Sequence, residues 1–279
     1  GMACAEELRK LGYKVTIYDR YDRPGGLLIY GIPNFKLEKF VVERRTKLLK
    51  DSGIKFIQNF EVGKNKTLAE LRKIHDAILI STGVYKAREI EIPGNNLQNI
   101  FPAMEFLTAS NRKGLVDQVK LFDRGILNSE GKNVVVIGGG DTAMDCVRTA
   151  VRQKAKSVKC IYRRDKENMP GSAREVSNAE EEGVEFVWLT SPKKFIGNNS
   201  VSGVEVNKMQ LGDPDASGGR RPVTQKNSEY LIKADMVIKS LGFDPENIPK
   251  LFGAEELSVS RWGTININLQ TMQTNIDGV

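Results

Sequence analysis

KNVVVIGGGDTAMDCVRTAVRQ, residues 132–153, decides the fold. Val134 to Ile137 is a short, β-branched, wholly apolar run, the pattern of a strand buried on both faces of a parallel sheet. Gly138, Gly139 and Gly140 then allow a sharp turn. From Asp141 the pattern is helical, with Ala143, Cys146, Val147 and Ala150 on one face. The turn presents a helix N-terminus, with free N–H groups and a positive dipole end, to an anion. Gly138-x-Gly140-x-x-Ala143 fits the fingerprint in which a glycine turn between strand and helix holds a dinucleotide diphosphate. A glycine-rich turn alone is common. The strand before it and the helix after it favour a dinucleotide over an ordinary strand–helix turn.

The next strand discriminates between nucleotides. SVKCIYRR, residues 157–164, ends about 20 residues after the glycines, where an NAD site places its ribose-binding acid. Arg163 and Arg164 stand there instead. An acid accepts from a 2′-hydroxyl, whereas an arginine welcomes a 2′-phosphate. With about 1.5–3 kcal/mol for each charge-assisted hydrogen bond, one or two would favour NADPH over NADH by roughly 10- to 1,000-fold. The alternative is a solvated basic pair at a strand end.

The chain opens with a similar unit. GMACAEELRKLGYKVTIYD, residues 1–19, reads as helix then strand. It parallels MDCVRTAVRQKAKSVKCIYR: Met2 and Cys4 match Met144 and Cys146, and Tyr18 matches Tyr162. Asp19 falls opposite Arg163. The first unit carries the acid and the second the base, which predicts two different dinucleotides: one with a free ribose hydroxyl, such as FAD, and one with a 2′-phosphate. Gly1 is then the third glycine of the first fingerprint. Its strand and first two glycines are absent, so the chain is expected to be an internal fragment of a longer polypeptide.

The 279 residues suffice for more than one average domain and a full core. With 40% hydrophobic and 28% charged residues, the composition is that of a globular protein. No apolar run approaches the roughly 18 residues of a membrane span, and no signal peptide is visible. Cys4, Cys146 and Cys160 are far apart with no C-x-x-C, and read as buried small apolar residues in a reducing cytoplasm. They cannot by themselves ligate an iron–sulfur cluster. They form no redox dithiol either. The single His75 precedes an apolar stretch and is a poor candidate for a catalytic base. The net charge is +7, but basic residues are interleaved with acids, as in EELRK, the mark of solvated helix faces. No aromatic-plus-basic stripe points to nucleic acid.

Along the chain, helices are expected near 37–52, 67–75 and 172–182, and strands at 53–62, 76–83 (DAILISTG, buried) and 184–189. Residues 95–131 read as polar, helical and hinge-like. VSGVEVNKMQL and SEYLIKADMVIKSLG read as antiparallel hairpin strands around the loop LGDPDASGGRRP. The last thirty residues contain no complete α/β unit. No short-period repeat appears; the repeat is the doubled nucleotide unit.

RPGGLLIYGIPNFKLEK, DAILISTG, VVVIGGGDTAMDC, YRRDKENMPGSAREVSNAEEEGVEF, GDPDASGGRRPV, ADMVIKSLGFDP and RWGTININLQTMQT together span nearly the whole chain. In these motifs it closely resembles the small (beta) subunits of NADPH-dependent glutamate synthase, and is similar to the flavin/NADPH region of dihydropyrimidine dehydrogenase. The resemblance implies an α/β fold of two Rossmann-like dinucleotide-binding domains, glutathione/adrenodoxin reductase-like. An FAD domain (1–113, with a return segment 246–279) would be interrupted by an NADPH domain (114–245). Asp19 would bind the FAD ribose, and Gly26 and Leu27 would lie along the flavin and its diphosphate. Lys36 would stand near the flavin, although relatives often have arginine there. Val62 would contact the adenine end, and Thr82 and Gly83 would line the FAD site. For NADPH, Gly138, Gly139, Gly140, Asp141 and Thr142 would hold the diphosphate, Arg163 and Arg164 the 2′-phosphate, and Ser240, Leu241 and Gly242 would pass near the nicotinamide.

The implied activity is hydride transfer from NADPH to FAD. Electrons would then leave through iron–sulfur clusters, ligated outside this chain, to the large glutamate synthase subunit for glutamate synthesis in the cytoplasm. Cofactors carry such chemistry, so no catalytic side chain and no metal ligand is nominated. Partners of other kinds, nucleic acid and membrane, are not expected. Two rival readings stand: a dihydropyrimidine dehydrogenase-like or ferredoxin:NADP-linked reductase with a different acceptor, and a non-catalytic NADPH-sensing module without flavin.

Overall fold

The computed structural model describes residues 1–214 and 220–279. The chain divides into two compact units. Unit 1 comprises residues 1–29, 37–86 and 243–279, and unit 2 residues 30–36 and 87–242.

Unit 1 starts with α1 (Met2–Lys10) and β1 (Thr16–Tyr18), continues past the short α2 (Leu27–Tyr30) at its edge, and resumes with α3 (Lys39–Asp51), β2 (Lys55–Ile57) and α4 (Leu68–Arg72). The strands β1 and β2 pair in parallel, Thr16 opposite Lys55. Ala5, Leu49 and Ile54 are buried together beside them. A capping box starts α4: Thr67 accepts from Glu70 N, and the Glu70 carboxylate accepts from Thr67 N. The two-residue β3 (Lys86–Ala87) marks the passage to unit 2.

Unit 2 contains β4 (Ile100–Pro102), α5 (Ala103–Gly114), α6 (Lys120–Asp123), β5 (Asn133–Ile137), α7 (Asp141–Arg152), β6 (Ser157–Ile161), α8 (Ala173–Glu181), β7 (Glu185–Val187), β8 (Thr190–Gly197), β9 (Val201–Pro214), β10 (Arg220–Thr224), β11 (Tyr230–Lys233) and β12 (Met236–Lys239). The chain returns to unit 1 through β13 (Phe243–Asp244) and α9 (Ile248–Phe252). Beyond α9, Ala254, Leu257, Ile276 and Val279 bury against Leu68 and Ile248.

The core of unit 2 is a five-stranded parallel sheet in the order β4-β12-β5-β6-β7. The run 134–137 is apolar throughout because both faces of β5 are covered. Val134 and Val136 join a cluster with Ala143, Cys146 and Val147 of α7 and Phe106 and Leu107 of α5. Val135 and Ile137 join Phe195, Val204 and Val206 of a second, antiparallel sheet built from β8, β9, β10 and β11.

Several expectations are corrected. Residues 103–114 are not a hinge: Phe106 and Leu107 are fully buried in the main core. The compact units divide at 86/87, where the resemblance implies a domain boundary at 113/114; β4 pairs with β12 and so belongs to the five-stranded parallel sheet. Residues 236–239 leave the expected hairpin and form the parallel strand beside β5. Within the expected loop LGDPDASGGRRP, residues 215–219 lie outside those described. DAILISTG is not a buried strand. It has no ladder partner among the described residues, one backbone tie from Ile78 N to Gly278 O (2.8 Å), and an exposed Leu79. Without a pairing strand, an apolar run cannot satisfy its backbone in the interior. Cys4 is exposed, whereas Cys146 and Cys160 are buried.

Candidate functional site

Unit 2 brings the NADPH candidates together at the C-terminal ends of β5, β6 and β12, the place where open parallel sheets bind ligands. Gly138 has φ 147°, and a Cβ there would lie 2.2 Å from the Ser240 carbonyl oxygen. A Cβ on Gly139 would strike the Tyr162 ring at 2.5 Å. Gly140 is the N-cap of α7 and has no side chain to cap it; Ala143 N donates to Gly140 O at 2.9 Å, which leaves the N–H groups of Asp141 and Thr142 for an anion. The Asp141 carboxylate is turned to the next loop, where Oδ1 accepts from Ser172 N at 2.8 Å. Its contribution to an anion is therefore its N–H. Thr142 follows in the same turn, partly buried.

A second wall faces the glycines. Gly171 N donates to Gly139 O at 2.9 Å, and a Cβ on Gly171 would crowd that oxygen at 3.0 Å. Arg163 is exposed just past the end of β6. Arg164 is half-buried, and its Nε is fully enclosed with no hydrogen-bond partner among the described residues. An enclosed guanidinium donor without an acceptor is costly unless an anion completes it. Ser240 N donates to Ile137 O at 2.8 Å, which holds residues 240–242 beside the glycine turn. Gly242 has φ 87° and its carbonyl accepts from Arg88 N. The glycine cradle, open helix end and incomplete arginine fit a phosphorylated dinucleotide.

Unit 1 gathers the other set. Asp19 follows β1, and its Oδ1 accepts from Tyr21 N at 3.0 Å. Burial raises its carboxyl above the usual range, more than the Tyr21 N–H and the Arg20 charge lower it. Gly26 (φ 53°) and Gly83 (φ 71°) face one side chain: a Cβ on Gly26 would lie 3.4 Å from the Tyr85 hydroxyl, and one on Gly83 would lie 3.6 Å from the Tyr85 ring. Arg20 stacks over Tyr85 and Tyr21 and is held by a bidentate pair with Glu246. Gly1 N donates to Ser81 Oγ at 2.7 Å, next to the exposed Thr82. Phe60 N donates to Asp19 O, which brings the segment leading to Val62 alongside. Leu27 is exposed. Small residues, an acid and exposed apolar side chains on one set of loops fit a dinucleotide with a free ribose.

For Lys36, which the resemblance sets near the flavin, the structure shows its partners within unit 2: its ammonium donates to Asp145 Oδ1 at 2.8 Å. Sequence reasoning also passed over Tyr85, Tyr162 and Gly171. Only Gly171, inside MPGS, carried a local signal; the tyrosines matter through contacts remote in sequence. Gln58 was missed as well: both polar atoms of its amide are buried without a partner among the described residues. His75 meets the Tyr18 hydroxyl at 2.9 Å and is a packing partner. Burial pushes the Cys146 thiol well up and that of Cys160 to about 12, so both are inert. Among the described residues no cluster of His, Cys, Asp and Glu could hold a metal, and no helix is long and apolar enough to cross a membrane.

The family model for pyridine nucleotide-disulphide oxidoreductases matches residues 1–279. The glutamate synthase [NADPH] small chain of Azospirillum brasilense is 57% identical over the whole chain, which spans 58% of that relative's length. The glutamate synthase [NADPH] small chain of Escherichia coli is 46% identical over 89% of the chain and 53% of its own length. Among solved structures, Mycobacterium tuberculosis FprA in complex with NADPH superposes with a TM-score of 0.74 at 18% identity. The match covers 89% of this chain and 69% of that one, and shares the α/β fold with parallel sheets.

Proposed function

Because the chain belongs to the pyridine nucleotide-disulphide oxidoreductase family, we propose that it forms the two dinucleotide sites of an NADPH-oxidising flavoprotein of the glutamate synthase small-chain type. Unit 1 takes FAD through Gly1, Asp19, Gly26, Leu27, Val62, Thr82 and Gly83. Unit 2 takes NADPH, with Gly138 to Thr142 on the diphosphate, Arg163 and Arg164 on the 2′-phosphate, and Ser240 to Gly242 along the nicotinamide end. The observation that carries this reading is the pair of arginines just past β6, one with an enclosed Nε that has no partner among the described residues, beside a glycine turn with no room for a Cβ on Gly138 or Gly139.

When bound, FAD and NADPH would supply the hydride-transfer chemistry, which requires no side-chain acid or base. The chain's residues bind and orient. The open N–H groups of α7 fix the diphosphate, and the arginines select the phosphorylated ribose. Asp19, its remaining carboxylate oxygen free of Tyr21, accepts from a ribose hydroxyl. Iron–sulfur clusters held outside this chain would supply the onward electron path to the large glutamate synthase subunit, in the cytoplasm.

The test uses the flavin-loaded protein under anaerobic conditions. NADPH is expected to bleach the visible absorbance of the flavin as it is reduced, and NADH to do so far less. NADPH oxidation should proceed with an artificial acceptor and yield glutamate from glutamine and 2-oxoglutarate only when the large subunit is added. Unchanged flavin absorbance on NADPH addition overturns the redox reading. Glutamate at background with the large subunit present, beside ready reduction of pyrimidines or ferredoxin, overturns the glutamate synthase assignment.

A further inference from the structure

Residues 30–36 belong to unit 2, although the chain on both sides belongs to unit 1. Two of its side chains grip α7. The Phe35 ring lies against two guanidinium groups one turn apart, Arg148 at 4.8 Å and Arg152 at 4.2 Å. Lys36 Nζ is 2.8 Å from Asp145 Oδ1 and 3.3 Å from Glu175 Oε2. Asp145 sits on α7 and Glu175 in the first turn of α8, so one ammonium joins the two helices. Arg148 extends the network to Glu175 (2.7 Å) and Glu182 (2.8 Å), and Arg152 also reaches Glu182 (2.9 Å).

The same ends of α7 and α8 build the nucleotide cradle. Asp141, the first residue of α7, accepts from Ser172 N just before α8, and Gly171 N donates to Gly139 O. The spacing of α7 and α8 thus decides how the 170–172 loop meets the glycine turn. Asp145 is 8% exposed. Burial raises its carboxyl, and Lys36 offsets part of that rise while Glu175 and Asp141 add to it. Without Lys36, Asp145 and Glu175 would face each other with less compensation in a poorly solvated place. They would push α8 and its leading loop away from α7, and leave negative charge one turn below the diphosphate donors.

We propose that Lys36 is a positioning residue of the NADPH site, holding the start of α8 to α7 so that the glycine turn and the 170–172 loop form one cradle. This rests on the NADPH reading of unit 2. It replaces the flavin-side role that resemblance implies for this position: the lysine charge is already committed to two carboxylates.

The experiment compares wild type, Lys36→Met and Lys36→Arg in the flavin-loaded protein, measuring NADPH dissociation constant, FAD-to-protein ratio and melting temperature. Lys36→Met is expected to weaken NADPH by about tenfold or more, the scale of one lost charge-assisted hydrogen bond, with FAD content unchanged. Lys36→Arg keeps the charge and should restore affinity to within about threefold of wild type. Loss of FAD with NADPH affinity intact would return Lys36 to the flavin and overturn the proposal. So would a lower melting temperature with unaltered NADPH affinity, or an arginine variant no better than methionine. If Lys36→Met fails to fold, Glu175→Gln removes the α8 carboxylate while keeping the Lys36–Asp145 pair. It should weaken NADPH selectively, and an unchanged affinity overturns the proposal. A wild-type protein that holds its flavin but binds no NADPH would overturn the functional reading of unit 2 as well.

Discussion

Gly139 lies directly against the ring of Tyr162: a Cβ on Gly139 would be 2.5 Å from Cε2. The ring cannot yield cheaply. Its hydroxyl donates to Asn168 O at 3.0 Å, and Trp188 packs edge-on at 6.5 Å. Gly139→Ala is therefore expected to displace the glycine turn and weaken NADPH by more than about tenfold, overpacking costing about 1–3 kcal/mol. FAD content should not change. A titration of the alanine variant that overlays wild type would mean that the turn is not part of the nucleotide site.

Arg163 and Arg164 stand where an NAD site keeps an acid. The double change to alanine should weaken NADPH by about 10- to 1,000-fold while leaving NADH nearly unaltered. Parallel titrations of both nucleotides check this, and equal losses would remove the 2′-phosphate role.

The three thiols differ in environment. Cys4 is exposed on α1, whereas Cys146 and Cys160 are enclosed, and burial raises both of their pKa values, that of Cys160 to about 12. An aromatic disulfide reagent at about pH 8, near the pKa of a free thiol, should modify one thiol per native chain and three in denaturant. Rapid modification of all three in the native protein would contradict the packing of α7 on β6.

Asp235 precedes β12, and its Oδ2 accepts from both the backbone N (2.8 Å) and the side-chain amide (2.6 Å) of Asn133, at the start of β5. Burial raises its carboxyl, but the two Asn133 donors outweigh it and hold the pKa below the ordinary value. A depressed carboxylate contributes stability above its unfolded pKa and loses it as pH falls through the folded one. Asp235→Ala should thus cost about 1–3 kcal/mol at neutral pH. The gap to wild type should begin to narrow as pH falls below about 4, where the unfolded state takes up the proton, and vanish only below the depressed folded pKa, where the carboxylate is protonated in both states. Denaturant melts at neutral and acid pH measure the gap; a constant difference would mean that ionisation plays no part.

The local chemistry of the second nucleotide unit was legible in the residues. The run 133–137, three glycines and an amphipathic segment from Asp141 make strand, turn and helix through short-range preferences. Arg163 and Arg164 follow at a distance set by one helix and one strand. Asp19 was equally legible, as an acid directly after β1. None of these required knowledge of a partner remote in the chain.

The failures share one physical cause. DAILISTG has strand composition, but composition does not supply a neighbour to pair with. MVIK looks like part of a hairpin until β5, about 100 residues earlier, takes it as a parallel partner. The stretch 103–114 looks polar, yet its apolar stripe meets α7 and the sheet.

The amino-acid sequence by itself thus determined the α/β class, the glycine turn between β5 and α7 and the identity of the charges that follow the two strands, because helix periodicity, glycine and β-branching act over a few residues. Only the tertiary structure decided where those charges point. It turned the Asp141 carboxylate to Ser172, drew Lys36 to Asp145 and Glu175, set Tyr85 between Gly26 and Gly83, and left Arg164 Nε enclosed without an acceptor among the described residues. Each of these depends on burial and on contacts between residues remote in sequence, where desolvation fixes the value of a charge or hydrogen bond.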